Sequence, residues 1–298
     1  MKRPLVFGEV LYDCFPDGRE ILGGAPFNVA WHLQGLGLNP LLVTGVGRDA
    51  LGDAILDTMR RWGMDTGAVQ RDPQHATGQV RVSLRDGQPS YDIVADQAYD
   101  HIGQDLLAGL RPNEFALIYH GSLALRAPTS SDTLDALIAS SGLPVFLDLN
   151  LRAPWWQRAQ LMPLLRRATW VKLNDEELCE VAGLPASRAV HDVDGLVEVA
   201  QGLAEECALR WLIVTRGGQG AFVVHPGGVQ QGAPIPVDGL VDTVGAGDAF
   251  SAVSINGILR GWELEQTLEQ ALRFAARVCM QRGATSEERT LYAGRASR

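Results

Sequence analysis

Apolar segments rich in β-branched residues alternate along this chain with segments whose apolar residues recur at helical spacing. This alternation is typical of parallel strands joined by crossover helices, so it predicts an α/β fold. No repeat or linker divides the alternating segments. The predicted strands cover residues 5–11, 41–45, 117–120, 145–149, 170–173 and 212–215, with 222–225 closing a final hairpin.

Polar residues follow the carboxyl ends of these predicted strands. In open α/β sheets the ligand crevice lies outside those ends, so we expect the polar groups to converge there. The residues concerned are Asp13, His120, Gly121, Ser122, Asp148, Asn150, Asn174, Thr215, Arg216 and Gly217.

Two regions break the alternation and have the pattern of antiparallel hairpins. Residues 79–84 and 90–94 alternate polar and apolar side chains around a tight-turn signal at 86–87. A similar turn signal occurs at residues 16–18. On local grounds, an ordinary surface hairpin explains these patterns as well as a lid over a ligand does.

The composition predicts a globular enzyme that acts on small molecules. The chain has 298 residues, of which 46% are hydrophobic, and this is enough for a large core. The net charge is −9 and the two lysines are Lys2 and Lys172, so no basic tract is present to bind nucleic acid or an anionic membrane. The four cysteines form no Cys-x-x-Cys pair, and the six histidines show no metal-ligand spacing beside them, which favours reduced thiols.

The amino-terminal segment does not have the pattern of a membrane anchor. Residues 1–3 are basic, but the apolar run that follows is interrupted by Glu9 and Asp13. No later run is long enough to cross a bilayer. We therefore expect a cytoplasmic protein.

The strongest local signal for chemistry is the stretch 242–250, which predicts a turn that feeds directly into a helix. Gly245 and Gly247, with Ala246 between them, allow successive N–H groups to point inward at the helix N-terminus, which attracts anions. Asp248 then lies in the first turn, where the helix dipole favours its ionised form. A carboxylate beside an anion-binding backbone suits phosphoryl transfer. A simple capping role is the alternative for this aspartate.

A second glycine-rich stretch covers residues 23–30. Gly23 and Gly24 let the backbone approach a ligand closely, and Asn28 offers both donors and acceptors to a sugar hydroxyl. In the alternative interpretation, Asn28 ties the loop to the start of the following helix.

The two glycine-rich stretches resemble the two signatures of the ribokinase-like (PfkB) carbohydrate kinases. The first signature runs from Gly23 to Gly47, and the second coincides with residues 242–250. Two long motifs in the expected order reduce the chance of a coincidental match. One position departs from the family pattern, because Val253 stands where glycine or alanine is usual, which puts the packing of that helix in question.

This resemblance implies a fold and a mechanism. The implied fold is a three-layer α/β sandwich, in which a mostly parallel central sheet is flanked by helices and residues 1–298 form one domain. Residues 12–22 and 78–98 form a discontinuous β lid that covers the sugar, excludes water and often pairs with a second subunit, so a homodimer through the lid is a candidate assembly. In the family, the aspartate at position 248 takes the proton of the sugar hydroxyl that receives the γ-phosphoryl group of ATP.

The resemblance also implies how the sugar and the metal ions are bound. Asp13 corresponds to an acidic residue that accepts hydrogen bonds from two sugar hydroxyls. Asn174 and Glu177 have the Asn-x-x-Glu spacing that orders magnesium and its waters around the phosphates, although a helix cap with a glutamate at its third position has the same spacing. Asp242 and Thr243, with carbonyls near residues 283 and 284, resemble the monovalent-cation site, for K⁺, of some members.

The nucleotide loop is expected at residues 215–220. Thr215, Gly217 and Gly220 resemble family positions where small residues leave room for ribose and phosphate. Ordinary hairpin glycines explain the same pattern.

The sugar that accepts the phosphoryl group is predicted from residues 148–156, which resemble the Asp-x-Asn-x-Arg…Trp segment of the fructokinase-like branch. Arg152 would orient the sugar through its fork of donors, unless it only forms a surface salt bridge. The lid hairpin around Tyr91 would close over the sugar. We expect D-fructose phosphorylated at O6, and the alternatives are kinases of 2-keto-3-deoxygluconate, aminoimidazole riboside or ribose.

Other nucleotide-binding classes are tested by their motifs. Neither lysine follows a glycine, which excludes a P-loop, and the protein-kinase motifs are missing. The stretch 45–50 fits the Gly-x-Gly-x-x-Gly/Ala pattern of an NAD-dependent oxidoreductase, with Asp72 downstream, but its glycines fall inside the longer kinase signature. A catalytically silent sugar-binding regulator is a third alternative, and the retained Asp248 argues against it.

Overall fold

A computed structural model describes residues 2–85, 88–185, 193–237 and 239–293. The chain divides into two compact units, of which the first holds residues 1–116, 124–143 and 283–298 and the second holds residues 117–123 and 144–282. The turn signal at Asp86 and Gly87 lies outside the described residues.

The first unit contains three parallel strands of a main sheet. The residues of the first two of these strands are almost entirely buried, because parallel strands are covered on both faces. The middle strand aligns Leu41 with Leu5 on one side and Thr44 with Val69 on the other. In chain order the strands are β1 (Arg3–Phe7), β4 (Leu41–Gly47) and β5 (Val69–Asp72).

The first strand is shorter than the sequence pattern predicts, because the apolar run 5–11 is divided at Gly8. This glycine has a φ of 147°, and a side chain there would collide with the ring of Pro26. The second half of the run enters a separate strand, β2 (Leu11–Cys14), which belongs to another sheet. Asp13 therefore lies within β2 and does not follow the first strand of the main sheet.

A small four-stranded sheet is formed by the regions in which the sequence predicts hairpins. The turn at residues 16–18 joins β2 to its antiparallel neighbour, and Gly18 has a φ of 83° there. In the other hairpin, Val82 lies opposite Tyr91. The strand order is β3-β2-β6-β7, with β3 (Glu20–Gly23), β6 (Gly78–Arg85) and β7 (Gln88–Ile93).

One helix of the first unit, α2 (Ala50–Trp62), is capped at both ends. The carboxylate of Asp49 accepts a hydrogen bond from the Gly52 amide at 2.8 Å, and Gly63 ends the same helix in the left-handed conformation. The helices are α1 (Ala25–Gly35), α2 (Ala50–Trp62), α3 (Pro128–Ser141) and the short α9 (Arg289–Tyr292), and 3₁₀ turns cover Ala98–His101, Gln104–Gly109 and Pro112–Glu114.

The second unit contains a mixed sheet of six strands. Parallel pairing places Lys172 beside Asp148 and Asn174 beside Thr215, and the last two strands are antiparallel. The predicted strands of this unit are confirmed within one or two residues at each end. The order is β8 (Phe115–His120), β9 (Val145–Asp148), β10 (Trp170–Asn174), β11 (Trp211–Thr215), β12 (Ala221–His225) and β13 (Gly228–Gly232).

Five helices of the second unit lie in the described residues. Val253 is buried in the helix that begins at Ala246, so the side chain that departs from the family pattern is accommodated in the helix packing. The helices are α4 (Arg158–Arg166), α5 (Asp175–Ala182), α6 (Val193–Glu206), α7 (Ala246–Arg260) and α8 (Leu264–Val278).

The four cysteines are free thiols, as the sequence predicts. Among the described helices, none combines the length and the apolar character needed to cross a bilayer.

Candidate active site

The turn at the start of α7 has the backbone arrangement that the sequence predicts. Gly245 caps the helix with a φ of 79°, in the left-handed region that glycine adopts without strain. The Asp242 carboxylate accepts a hydrogen bond from the Val244 amide at 3.0 Å and so stabilises the turn. The Ala246 amide donates to the carbonyl of Thr243 at 3.3 Å.

Two backbone N–H groups at this turn are available to a ligand. Among the residues described, the amides of Gly245 and Gly247 donate no hydrogen bond. Both belong to the start of a helix of 15 residues, where the unpaired amides and the aligned peptide dipoles favour an anion. The start of α7 can therefore hold a negatively charged oxygen.

Asp248 lies in the first turn of α7 and is half-buried. Burial lowers the pKa of Lys172, but the charges of Asp148 and Glu177 and, to a smaller extent, that of Asp248 raise it. The Lys172 ammonium lies close to the same helix start, since a Cβ added at Gly247 would be 3.2 Å from Nζ. The helix start thus combines free amides, a carboxylate and a nearby cation.

Lys172 is the site residue to which the sequence analysis assigns no role. It is 7% exposed, and its Nζ donates to both carboxylate oxygens of Asp148, at 2.8 and 3.0 Å. Burial by itself would lower the pKa of Lys172, but the charge and hydrogen bonds of Asp148 outweigh it and raise the pKa. The available sequence signal is a single lysine inside the otherwise apolar segment 170–173.

Asp148 connects this lysine to α7. Its Oδ2 accepts a hydrogen bond from the Ser251 hydroxyl at 2.7 Å and a longer one from the Tyr119 hydroxyl at 3.4 Å. Asp148 is 1% exposed, so its charge depends on these donors and on Lys172 for stabilisation. The network fixes the first turns of α7 against strands β9 and β10.

Asn174 and Glu177 form a helix cap at the start of α5. The Glu177 amide donates to Asn174 Oδ1 at 2.8 Å, and the Asn174 amide donates to Glu177 Oε2 at 2.9 Å. Oε1 of the same glutamate accepts from the Leu151 amide at 2.7 Å. Burial raises the pKa of Glu177, opposed by Lys172 and by these backbone donors. A carboxylate has about four lone-pair positions, so this cap leaves some for water or a metal ion.

Two kinds of glycine occur in the predicted nucleotide loop, residues 215–220. Gly217 has a φ of 51° and no atom within 4 Å of an added Cβ, so space is open above it. Gly220 is required by the fold itself, because its Cβ would collide with the carbonyl of Gly232. Thr215 ends β11, where its hydroxyl donates to the Leu173 carbonyl at 3.4 Å.

His120 cannot serve as a base in this site. It is fully buried at the end of β8, its Nδ1 lies 2.8 Å from the Gly121 carbonyl oxygen, and burial lowers its pKa to about 3. The imidazole is therefore neutral at physiological pH. Among the polar residues that follow the strands of the second unit, Asp148 lies beside Lys172 of β10, and Asn174 caps the helix that carries Glu177.

The predicted sugar-binding residues of the first unit lie around the start of α1 and in the small sheet. Gly24 has a φ of 105°, and a Cβ there would be 2.8 Å from the Glu9 carbonyl oxygen, whereas Gly23 has open space beside it. Asn28 is buried in the first turn of α1, and its backbone N–H donates to the Gly24 carbonyl at 2.8 Å. Tyr91 is 59% exposed on β7.

Arg152 and the predicted monovalent-cation residues are exposed or partly exposed in the second unit. The Arg152 guanidinium donates to the Leu151 carbonyl at 3.1 Å, so this arginine is turned toward its own backbone. The amide of Asp242 donates to the Cys279 carbonyl at 3.2 Å, and Thr243 contributes the carbonyl that accepts from Ala246.

The glycines of the dinucleotide-like pattern face the protein. A Cβ added at Gly45 would collide with the Ala98 carbonyl, and one at Gly47 would lie 2.7 Å from the Thr77 amide nitrogen. Asp72, the acidic residue of that pattern, accepts hydrogen bonds from the amides of Gln74 and His75, at 2.7 and 2.9 Å. Backbone atoms of the described residues therefore occupy the space directly beside both glycines.

An α/β fold with an anion-binding helix start and a carboxylate in its first turn defines a site of the phosphoryl-transfer type. A model of the pfkB family carbohydrate kinases matches residues 9–291. This chain belongs to the pfkB family and is a carbohydrate kinase. The predicted family and ribokinase-like fold class are confirmed.

The chain is similar to kinases of more than one sugar. It is 32% identical to the fructokinase of Escherichia coli over 272 residues, which are 85% of this chain and 83% of that protein. A fructokinase of Vibrio cholerae, crystallised with fructose, ADP and a calcium ion, superposes with a TM-score of 0.77 at 24% identity and 98% coverage of both chains. The 2-dehydro-3-deoxygluconokinase of Thermotoga maritima superposes with a TM-score of 0.80 at 20% identity and 96% coverage of both chains.

Proposed function

We propose that this carbohydrate kinase transfers the γ-phosphoryl group of ATP to O6 of D-fructose. The observation that carries the transfer is the start of α7, where the amides of Gly245 and Gly247 are available beside the carboxylate of Asp248. The choice of fructose is supported by the 32% identity to the fructokinase of Escherichia coli.

Asp248 accepts the proton of the attacking hydroxyl in this proposal. The transition state of phosphoryl transfer is loose, so the nucleophile needs little activation and a carboxylate of ordinary basicity is sufficient. The larger electrostatic contribution comes from the amides of Gly245 and Gly247, which face the charge that develops on the phosphoryl oxygens. Ala246, whose amide donates to the Thr243 carbonyl, completes the turn. Lys172 adds a positive charge near the same turn.

Oxygen-donating residues near the site fit the metal ions that the family resemblance implies. When bound, Mg²⁺ would neutralise charge on the ATP phosphates. Asn174 and Glu177 would hold its waters, using the lone pairs that the helix cap leaves free. Asp242 and Thr243 are the proposed residues for K⁺. Thr215, Gly217 and Gly220 are proposed to leave room for the nucleotide.

The sugar that accepts the phosphoryl group is proposed to bind residues of the first glycine-rich stretch and of the lid. Asp13 and Asn28 are proposed to hold sugar hydroxyls, and a Cβ added at Gly23 would meet no atom within 4 Å, so the backbone there leaves room for a ligand. Tyr91 is an exposed aromatic side chain on the small sheet, as expected of a surface that covers a ligand or meets a second copy of the chain. Arg152 is proposed to turn away from its own backbone and orient the sugar.

A sugar acid is the second candidate acceptor. Arg152 is exposed, and a guanidinium binds a carboxylate through two parallel hydrogen bonds, which fructose does not offer. 2-Keto-3-deoxygluconate carries such a carboxylate. The two candidates therefore differ in the charge that Arg152 would meet.

The preferred acceptor is tested by kcat/KM for fructose, 2-keto-3-deoxygluconate, ribose, adenosine and aminoimidazole riboside in a coupled ADP-release assay. We expect fructose to have the highest value. Parallel assays without Mg²⁺, and with potassium replaced by sodium or tetramethylammonium, test the two ions. A higher value of kcat/KM for another acceptor would refute the fructose assignment alone. If the protein phosphorylated none of the five acceptors, the kinase activity proposed for this chain would be refuted as well.

A substitution at Gly247 tests the anion-binding turn. Gly247→Val is expected to lower kcat by about tenfold, because a side chain there crowds Lys172 and the amides that stabilise the transferring group. The matched control is Gly202→Val in α6, a second helical glycine with open space around it. The steady-state rates of the two variants are compared. Equal rates for Gly247→Val and wild type would contradict the assignment of this turn.

A further inference from the structure

Two histidines and an aspartate meet at the base of the β6–β7 hairpin. The chain enters this hairpin through residues 72–77 and leaves it through residues 94–101. His75 lies in the first segment, and Asp96 and His101 lie in the second. The cluster thus bridges the two ends of the hairpin within the first unit.

The three side chains present ligand atoms to one another. The Nε2 atoms of His101 and His75 lie 2.7 and 3.7 Å from the same carboxylate oxygen of Asp96. One ligand atom from each residue lies within 4.8 Å of the others. The two imidazole rings are stacked, with ring centroids 3.5 Å apart and an interplanar angle of 9°.

Buried groups hold His75 in this orientation. Its Nδ1 lies 3.0 Å from Oδ2 of Asp72, which is 6% exposed and is itself held by two backbone amides. A hydrogen on Nδ1 satisfies that contact and leaves the Nε2 lone pair directed at Asp96. A carboxylate that fixes the tautomer of a histidine in this way is the usual outer partner of a metal-binding imidazole.

The second segment is anchored equally well. Gln70 donates to the His101 carbonyl at 2.7 Å, and Arg126 donates to the Val94 carbonyl at 2.6 Å. Arg126 also forms a buried ion pair with Asp100 at 2.7 Å, one residue before His101. Both ends of the hairpin are therefore fixed by contacts outside the cluster.

We propose that His75, Asp96 and His101 bind one divalent transition-metal ion of the Zn²⁺ class. Two imidazole nitrogens and one carboxylate oxygen suit Zn²⁺, Co²⁺ or Ni²⁺ better than Mg²⁺ or Ca²⁺, which prefer oxygen ligands alone. Asp96 is exposed, so water completes the coordination. The bound ion joins residues 75 and 96–101 and closes the base of the hairpin. The stacked rings tilt apart so that both lone pairs meet the ion.

Metal titration of the full-length protein tests this site. Zn²⁺ binding is followed by calorimetry and Co²⁺ binding by its visible spectrum, after the two accessible cysteines, Cys14 and Cys279, have been alkylated so that their thiolates do not contribute. We expect one ion per chain and a rise in the thermal unfolding temperature on binding. Mg²⁺ added alone is expected to produce neither change.

Three variants separate ligation from folding. His101→Gln and Asp96→Asn are expected to raise the Kd for Zn²⁺ by at least about tenfold. Loss of a residue that only hydrogen-bonds to a metal ligand already has an effect of this size. Asp96 has a φ of 58°, which asparagine also adopts, so Asp96→Asn keeps the backbone. The control is His225→Gln, in β12 of the second unit. Binding that is unchanged in both cluster variants, or lost equally in the control, would overturn the proposal.

Discussion

Replacing Asp248 by asparagine is expected to lower kcat by about two orders of magnitude, since this is the usual size of a general-base contribution. Asparagine is nearly isosteric with aspartate and suits the first turn of a helix, so α7 is expected to remain folded. The binding of ATP is expected to change little, because the amides of Gly245 and Gly247 are not altered.

The matched control is Asp194→Asn, which removes an exposed first-turn carboxylate from α6. This control shows what the loss of a helix-dipole interaction does by itself, about 0.3–1 kcal/mol in stability. Steady-state kinetics give kcat for both variants, and equilibrium binding gives their affinity for ATP. If Asp248→Asn turned over as fast as wild type, Asp248 would not be the base.

Replacing Lys172 by methionine is expected to destabilise the fold by about 3–5 kcal/mol, because it leaves a buried charge without its partner. Asp148 is 1% exposed and, among the described residues, would keep the hydroxyl donors Ser251 and Tyr119. Methionine has a similar length, so the loss of packing is small. Urea denaturation at equilibrium gives the free energy of unfolding of the variant and of wild type.

Two further proteins make this test specific. Lys2→Met removes the only other lysine of the chain, at an exposed position, and is expected to change the free energy of unfolding by less than about 0.5 kcal/mol. The double variant Lys172→Met with Asp148→Asn removes both charges and is expected to recover part of the lost stability. A Lys172→Met protein as stable as wild type would mean that the buried pair does not stabilise the fold.

Contacts between neighbours in the chain are the part of the site that could be predicted from the sequence. The start of α7 depends on Gly245 and Asp248, which lie within one helical turn. The cap formed by Asn174 and Glu177 spans three residues and was one of the two interpretations of that spacing. In both cases the hydrogen-bonding groups are close in the chain, so residue types and spacing are enough.

Strand boundaries were less predictable where packing or pairing decides them. The apolar run 5–11 reads as one strand, but the approach of Pro26 to Gly8 divides it between two sheets. A strand that the sequence pattern does not predict is β5, Val69–Asp72. It has too few apolar residues to be recognised, and it forms because β4 offers it a parallel partner. A local pattern contains neither the position of Pro26 nor the exposed edge of β4.

The sequence by itself determined the α/β class, the two hairpins of the small sheet and the glycine-rich start of α7, because periodicity, turn residues and helix caps act over a few residues. Only the tertiary structure decided which distant side chains meet. Lys172 and Asp148 are 24 residues apart and become neighbours through the register of β9 and β10. His75 meets Asp96 and His101 because the hairpin between them returns the chain to its starting point. Such contacts depend on strand pairing and chain reversal, whose free energies are set by the whole fold and not by local residue spacing.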